Sequence, residues 1–280
     1  MRRHTSHQVR RHALAAGLTL LLAACSDSIT SVPTDPQIRT FTPHRIVSHD
    51  QLQAAVGTAL SSSNGGLDFP MWATVVDREG VVVAVVHSGQ AIDDAWLGSR
   101  AISAQKANTA NSFSLDGFAL SSANLYSAVQ PGGSLFGLQE SNPVDPRVVY
   151  GGRESEYGTV RDFMVGKKPG GVNVFGGGLA LYDATSGQVI GAVGLSGDTS
   201  CADHNIAWRV RHALNMDNVS AGVAPAVGLN PAGKDNIIFD INPATGASAG
   251  GFGHPTCLGG AADSTMGTNL PTTYPLGPTP

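Results

Sequence analysis

The sequence predicts an α+β domain in which one antiparallel sheet carries packed helices. The β-branched runs Met71–Asp77 and Val81–His87 flank a short turn at Arg78-Glu79-Gly80, and Gly178–Asp183 and Gln188–Leu195 repeat that pattern across Ala184–Gly187. A helical stretch follows each pair, so the chain holds two strand–turn–strand–helix units. Hydrophobic residues make up 41% of the chain, enough to fill a core. Charged residues are 14% with net charge −4, which leaves no basic footprint for nucleic acid.

Taken in order, the chain opens with Arg2, Arg3, Arg10 and Arg11 ahead of the apolar run Ala13–Ala24. About a dozen apolar residues are too few to cross a bilayer, so this reads as a secretory signal rather than a membrane span. Leu22-Ala23-Ala24-Cys25 resembles the bacterial lipobox and predicts cleavage before Cys25 with lipidation of Cys25; the alternative is an ordinary signal with an incidental cysteine. Ser26 rather than Asp follows Cys25, which favours outer-membrane sorting in a two-membrane cell. Residues 1–24 are therefore the signal and 25–45 a polar, Pro-bearing tether, followed by a domain over 46–215, an extension over 216–260 and a disordered tail over 261–280.

Within the domain, Ser48 or Asp50 caps a helix to about Ser62 that carries Leu52, Val56, Ala59 and Leu60 on one face. Val81–His87 is apolar without alternation, which predicts a central strand covered on both faces. Helices are expected over about Asp94–Asn111 and Ala202–Leu214, with a short one near Ser122–Val129. The Gly- and Pro-rich middle, Ser114–Gly171, reads as long loops of the kind that wall a pocket, and Asp235–Ile241 as an extra edge strand.

With Cys25 lipidated, Cys201 and Cys257 remain, and two thiols in an oxidising compartment predict a disulfide. The bridge pins the extension to the core and contributes roughly 4 kcal/mol through chain entropy. Its rival is a metal or haem ligand pair used with His204 and His254, although no CxxC or CxxCH spacing occurs.

Ser103-Ala104-Gln105-Lys106 matches the S-x-x-K pattern of penicillin-recognising enzymes, but no S-D-N or K-T-G partner follows. Gly194-Leu195-Ser196-Gly197 ends a strand before a helix, as a nucleophile elbow does, without the G-x-S-x-G spacing; a triad would need Asp198 and His204. Gly191 and Gly194 strip side chains from one strand face, and the loop amides ahead of the helix suit an anion. The plainer alternative is a tight turn with Asp203 in the first helical turn. His87, His204, His212 and His254 are the metal-ligand candidates; His204 and His212 stand about 12 Å apart along one helix and cannot share an ion.

Together these motifs resemble the GlcG/HbpS family, also met as the C-terminal domain of PduO-type proteins, over roughly residues 48–215. The matching segments are Val76-Asp77-Arg78-Glu79-Gly80, Ala104-Gln105-Lys106-Ala107-Asn108-Thr109-Ala110, and Gly191–Gly197 followed by Asp203. The resemblance implies a profilin-like single domain with an antiparallel sheet of about five strands, assembly into homo-oligomers, and non-covalent binding of haem or a related tetrapyrrole linked to haem or redox sensing. It places a shared ligand site at Lys106, Thr109, Ser196, Gly197 and Asp203, with His204 as axial candidate. A long insertion at Leu135–Pro169 and the extension bearing Cys257 depart from the family pattern. The expected protein is a lipid-anchored, extracytoplasmic haem-binding protein rather than an enzyme. Its rivals are an enzyme acting on a small acid or corrinoid-linked metabolite, and a ligand-free envelope interaction module.

Overall fold

Four antiparallel strands form the sheet: β1 (Trp72–Asp77), β2 (Val82–His87), β3 (Gly178–Tyr182) and β4 (Val189–Ser196), in the order β2-β1-β4-β3. The structure, a computed structural model, describes residues 46–258 and 262–277, so the lipobox, the signal and the tether lie outside the described residues. The first hairpin pairs Trp72 with His87, and β1 pairs with β4 from Trp72↔Ser196 to Asp77↔Gly191.

Helices cover both faces of the sheet. Helix α1 (His49–Leu60) is capped by Ser48, whose side chain accepts from the Gln51 amide, and it packs with α3 (Ser200–Ala213) on one face. That layer buries Leu52, Val56, Ile206 and Val210 against Ala73, Val75, Leu181 and Val193. Helix α2 (Ser99–Phe113) lies on the other face, where Ala101, Ala104, Ala107 and Ala110 meet Trp72, Val76 and Ala192. Gly194 makes this approach possible, because a Cβ there would overlap the Ser103 carbonyl.

Several expectations change. β2 is covered on both faces but stands at the edge of the sheet. The insertion supplies its cover: Val82 N–H donates to the Lys167 carbonyl and Gly166 N–H to the Val82 carbonyl. No fifth strand forms among the described residues, since Asp235–Ile241 runs as irregular chain with one isolated bridge, Ile241↔Ser248. The short helix near Ser122–Val129 is two 3₁₀ turns.

The expected disordered tail instead carries helix α4 (Ala262–Thr273), which packs on α3. Leu270 joins the core beneath it, Trp208 Nε1 donates to the Tyr274 carbonyl, and Asn205 donates to the Asp263 carbonyl. The Cys201–Cys257 disulfide forms as expected, with Cα atoms 6.0 Å apart.

Two buried ion pairs fasten the added segments. Arg100 on α2 grips Asp162 of the insertion through two bonds of 2.5 and 2.8 Å, and Arg211 on α3 grips Asp235 of the extension at 2.7 and 2.9 Å. Bidentate guanidinium–carboxylate geometry suits such dry sites, because the fork satisfies both oxygens at once.

Candidate functional site

A cavity of about 260 Å³ opens where the start of α2 faces the β4–α3 loop. Trp96, Ile102 and Phe175 give it apolar walls, and Lys106, Ser196, Asp198, Thr199, Ser200 and Asp203 its polar lining. Trp96 and Phe175 are 53% and 45% exposed, so aromatic surface stands at the rim where a flat apolar ligand would meet it.

Lys106 and Asp203, both singled out from sequence, meet here. Lys106 Nζ donates to Asp203 Oδ2 at 2.6 Å and to the Leu195 carbonyl at 3.0 Å. Burial is the largest influence on each group: it depresses the Lys106 ammonium and lifts the Asp203 carboxyl to about 6, while the partner's charge opposes both movements. Asp203 Oδ1 also accepts from the Asp198 amide, which ties the β4–α3 loop to the pair. The loop is fixed a second time by Asp198, whose carboxylate accepts from the amides of Leu67, Phe69 and Thr199. The resemblance placed Lys106 in a ligand site; it is fully buried and its charge is committed to Asp203.

The other expected site residues divide. Ser196 borders the cavity. Gly197 serves packing, since a Cβ there would overlap the Pro70 carbonyl. Thr109 sits away from the cavity, donating to the Gln105 carbonyl and accepting from the Asn173 amide. Ser103 of the S-x-x-K match is buried, donates to the Arg100 carbonyl and meets Thr74 Oγ1 at 2.8 Å, so it faces no substrate space.

His204 is the principal correction. It is fully buried on the far side of α3, with Nε2 at 3.1 Å from both Asn236 Oδ1 and the Ile237 amide of the extension. Burial depresses its pKa to about 3, so the ring is a neutral core group facing away from the cavity. The extension occupies Nε2, and Nδ1 is buried. The disulfide likewise leaves Cys201 and Cys257 no thiolate for the rival metal set.

Sequence reasoning missed Trp96, Phe175, Ser200 and the placement of His254. Ser200 lines the cavity, and its Oγ lies 2.7 Å from Nε2 of the buried His254, a contact spanning 54 residues.

The family model described as haem degrading protein HbpS-like matches residues 47–211. The chain belongs to the HbpS-like family. An uncharacterised 15.0 kDa protein of Citrobacter freundii, from a dhaT–dhaS intergenic region, is 33% identical over 141 residues, which span 50% of this chain and 73% of that protein. Among solved structures, the Klebsiella pneumoniae protein ORFY is 27% identical at a TM-score of 0.41, covering 60% of this chain and 88% of that one. A PduOC–haem complex is 24% identical at a TM-score of 0.41, covering 60% of this chain and 91% of that one. The HbpS-like match ends at residue 211, so helix α4 and Cys257 lie outside it.

Proposed function

We propose that this HbpS-like protein binds haem or a related tetrapyrrole, non-covalently and edge-on, at the cavity between α2 and the β4–α3 loop. The supporting observation is the amphipathic layout of that cavity: an exposed aromatic rim of Trp96 and Phe175 above a polar lining of Ser196, Thr199 and Ser200. Trp96 and Phe175 would hold the macrocycle, and Ser196, Thr199 and Ser200 would hold its propionates. Trp96 and Phe175 would meet the edge of the macrocycle, whereas its iron finds no ligand here, because no histidine lines the cavity among the described residues. Iron binding by His204 is therefore not part of the reading. When bound, haem would supply redox chemistry, and the protein holds and exposes it.

The N-terminus adds location. Arg2, Arg3, Arg10 and Arg11, the short apolar run and Leu22-Ala23-Ala24-Cys25 support export and lipid attachment at Cys25, giving an extracytoplasmic protein anchored to the bacterial membrane. Among the described residues no helix is long and apolar enough to cross a membrane. Haemin titration followed by absorption tests binding: a saturable, shifted Soret band at one haem per chain is expected, and a non-saturating response overturns it. Incorporation of labelled palmitate, lost in Cys25→Ser, tests the anchor.

A further inference from the structure

A hydroxyl at the cavity wall is backed, in line, by a buried imidazole and a main-chain carbonyl. Ser200 opens α3 directly after the Thr199 cap. Its Oγ lies 2.7 Å from His254 Nε2, and His254 Nδ1 lies 2.7 Å from the Pro255 carbonyl oxygen. A carbonyl oxygen accepts only, so Nδ1 carries the ring proton, Nε2 keeps its lone pair, and Ser200 donates to it. The tautomer is thus fixed in the sense that a general base requires. Gly176 N–H donates to Ser200 Oγ at 2.6 Å, a bond that strengthens as negative charge develops on that oxygen. Burial depresses the His254 pKa to about 4, which keeps the ring neutral at pH 7.

The arrangement depends on the extension. The disulfide joins Cys201, the neighbour of Ser200, to Cys257, three residues beyond His254. The Tyr126 ring, 5.1 Å from the imidazole, packs against it. The covalent staple therefore holds the base against the hydroxyl; Ser200 lies within the family match over residues 47–211, and His254 lies beyond it.

We propose that Ser200 is the nucleophile, and His254 its general base, of an acyl-transfer site that hydrolyses small apolar esters. The apolar walls of Trp96, Ile102 and Phe175 and a volume of about 260 Å³ suit a short acyl or aryl group. Ser200 Oγ attacks the ester carbonyl carbon while its proton passes to His254 Nε2. The carbonyl re-forms as the C–O bond to the leaving alcohol breaks, and His254 returns the proton to that oxygen. Water then attacks the acyl-serine, gives a proton to His254, and the acid departs as Ser200 recovers its proton. The net reaction consumes one ester and one water and yields one acid and one alcohol. Pro255 contributes only its carbonyl, in the orienting place that a carboxylate takes in other triads.

The site does not rest on haem binding, and its test uses no haem. The full chain in detergent is treated with a fluorophosphonate probe; an O–P bond to Ser200 forms as P–F breaks, and the hydroxyl proton leaves through His254. One adduct, mapped to Ser200 by peptide mass, is expected, with labelling at least 100-fold slower in His254→Gln. Hydrolysis of p-nitrophenyl butyrate should fall to the buffer rate in Ser200→Ala, a change small enough to leave the fold in place. No adduct on Ser200, equal labelling in a folded His254→Gln, or unchanged turnover in Ser200→Ala would each overturn the proposal.

Discussion

Lys106 on α2 and Asp203 on α3, 97 residues apart in the chain, meet at 2.6 Å across the end of β4. The pair joins the helices on opposite faces of the sheet and borders the cavity, so site and fold share one contact. Its side chains are 1% and 3% exposed, and removal of one partner strands the other in a dry setting. Lys106→Ala should lower the unfolding free energy by about 3 kcal/mol. The double change Lys106→Met with Asp203→Leu should recover most of that loss. Urea denaturation of the three proteins checks both; an unchanged midpoint in Lys106→Ala would contradict the structural role.

The disulfide closes a loop of sequence separation 56, worth roughly 4 kcal/mol on the chain-entropy account. Paired Cys201→Ser and Cys257→Ser changes should lower the thermal midpoint markedly. Differential scanning calorimetry with and without reductant should show the wild type moving to the variant's midpoint.

Acid should loosen the fold through its buried histidines. His204 is depressed to about 3 and His254 to about 4 from 6.5, so their neutral burial contributes stability above pH 6.5 that is lost as pH falls toward those values. Asp203, raised to about 6, runs the other way: its contribution is present at low pH and is lost as pH rises through 6. Two histidines with larger displacements outweigh one carboxyl. The thermal midpoint should therefore fall between pH 6.5 and 4, with a shallower slope in His204→Gln; parallel slopes would contradict this.

Helix α4 should behave as part of the core. Leu270 is 1% exposed, and Leu270→Ala should cost about 2–4 kcal/mol, read from urea denaturation.

Both hairpins were legible because β-branched runs flank short Gly-containing turns, and the disulfide because two thiols remained once Cys25 was assigned to lipid. The edge position of β2 was not legible, since its cover comes from Lys167 and its neighbours, far downstream of Val82. The roles of Asp162 and Asp235 carry no local signal, since their partners Arg100 and Arg211 stand 62 and 24 residues away in the chain. Helix α4 hid behind a Thr- and Pro-bearing composition with Pro271 inside it, and its helicity comes from packing on α3 rather than from propensity. Of the motif residues, Lys106, Ser196 and Asp203 line one cavity, while Thr109 and Gly197 do not. The extension covers His204 through Asn236 and Ile237 and sets a buried His254 behind Ser200, placements that only the fold shows.

The most direct test of the binding account is the haemin titration repeated on Trp96→Ala with Phe175→Ser and, separately, on His204→Gln. The account predicts a saturable Soret shift that survives in His204→Gln and weakens at least tenfold when the rim is removed. Loss of the shift in a folded His204→Gln, with the rim variant unaffected, would contradict it.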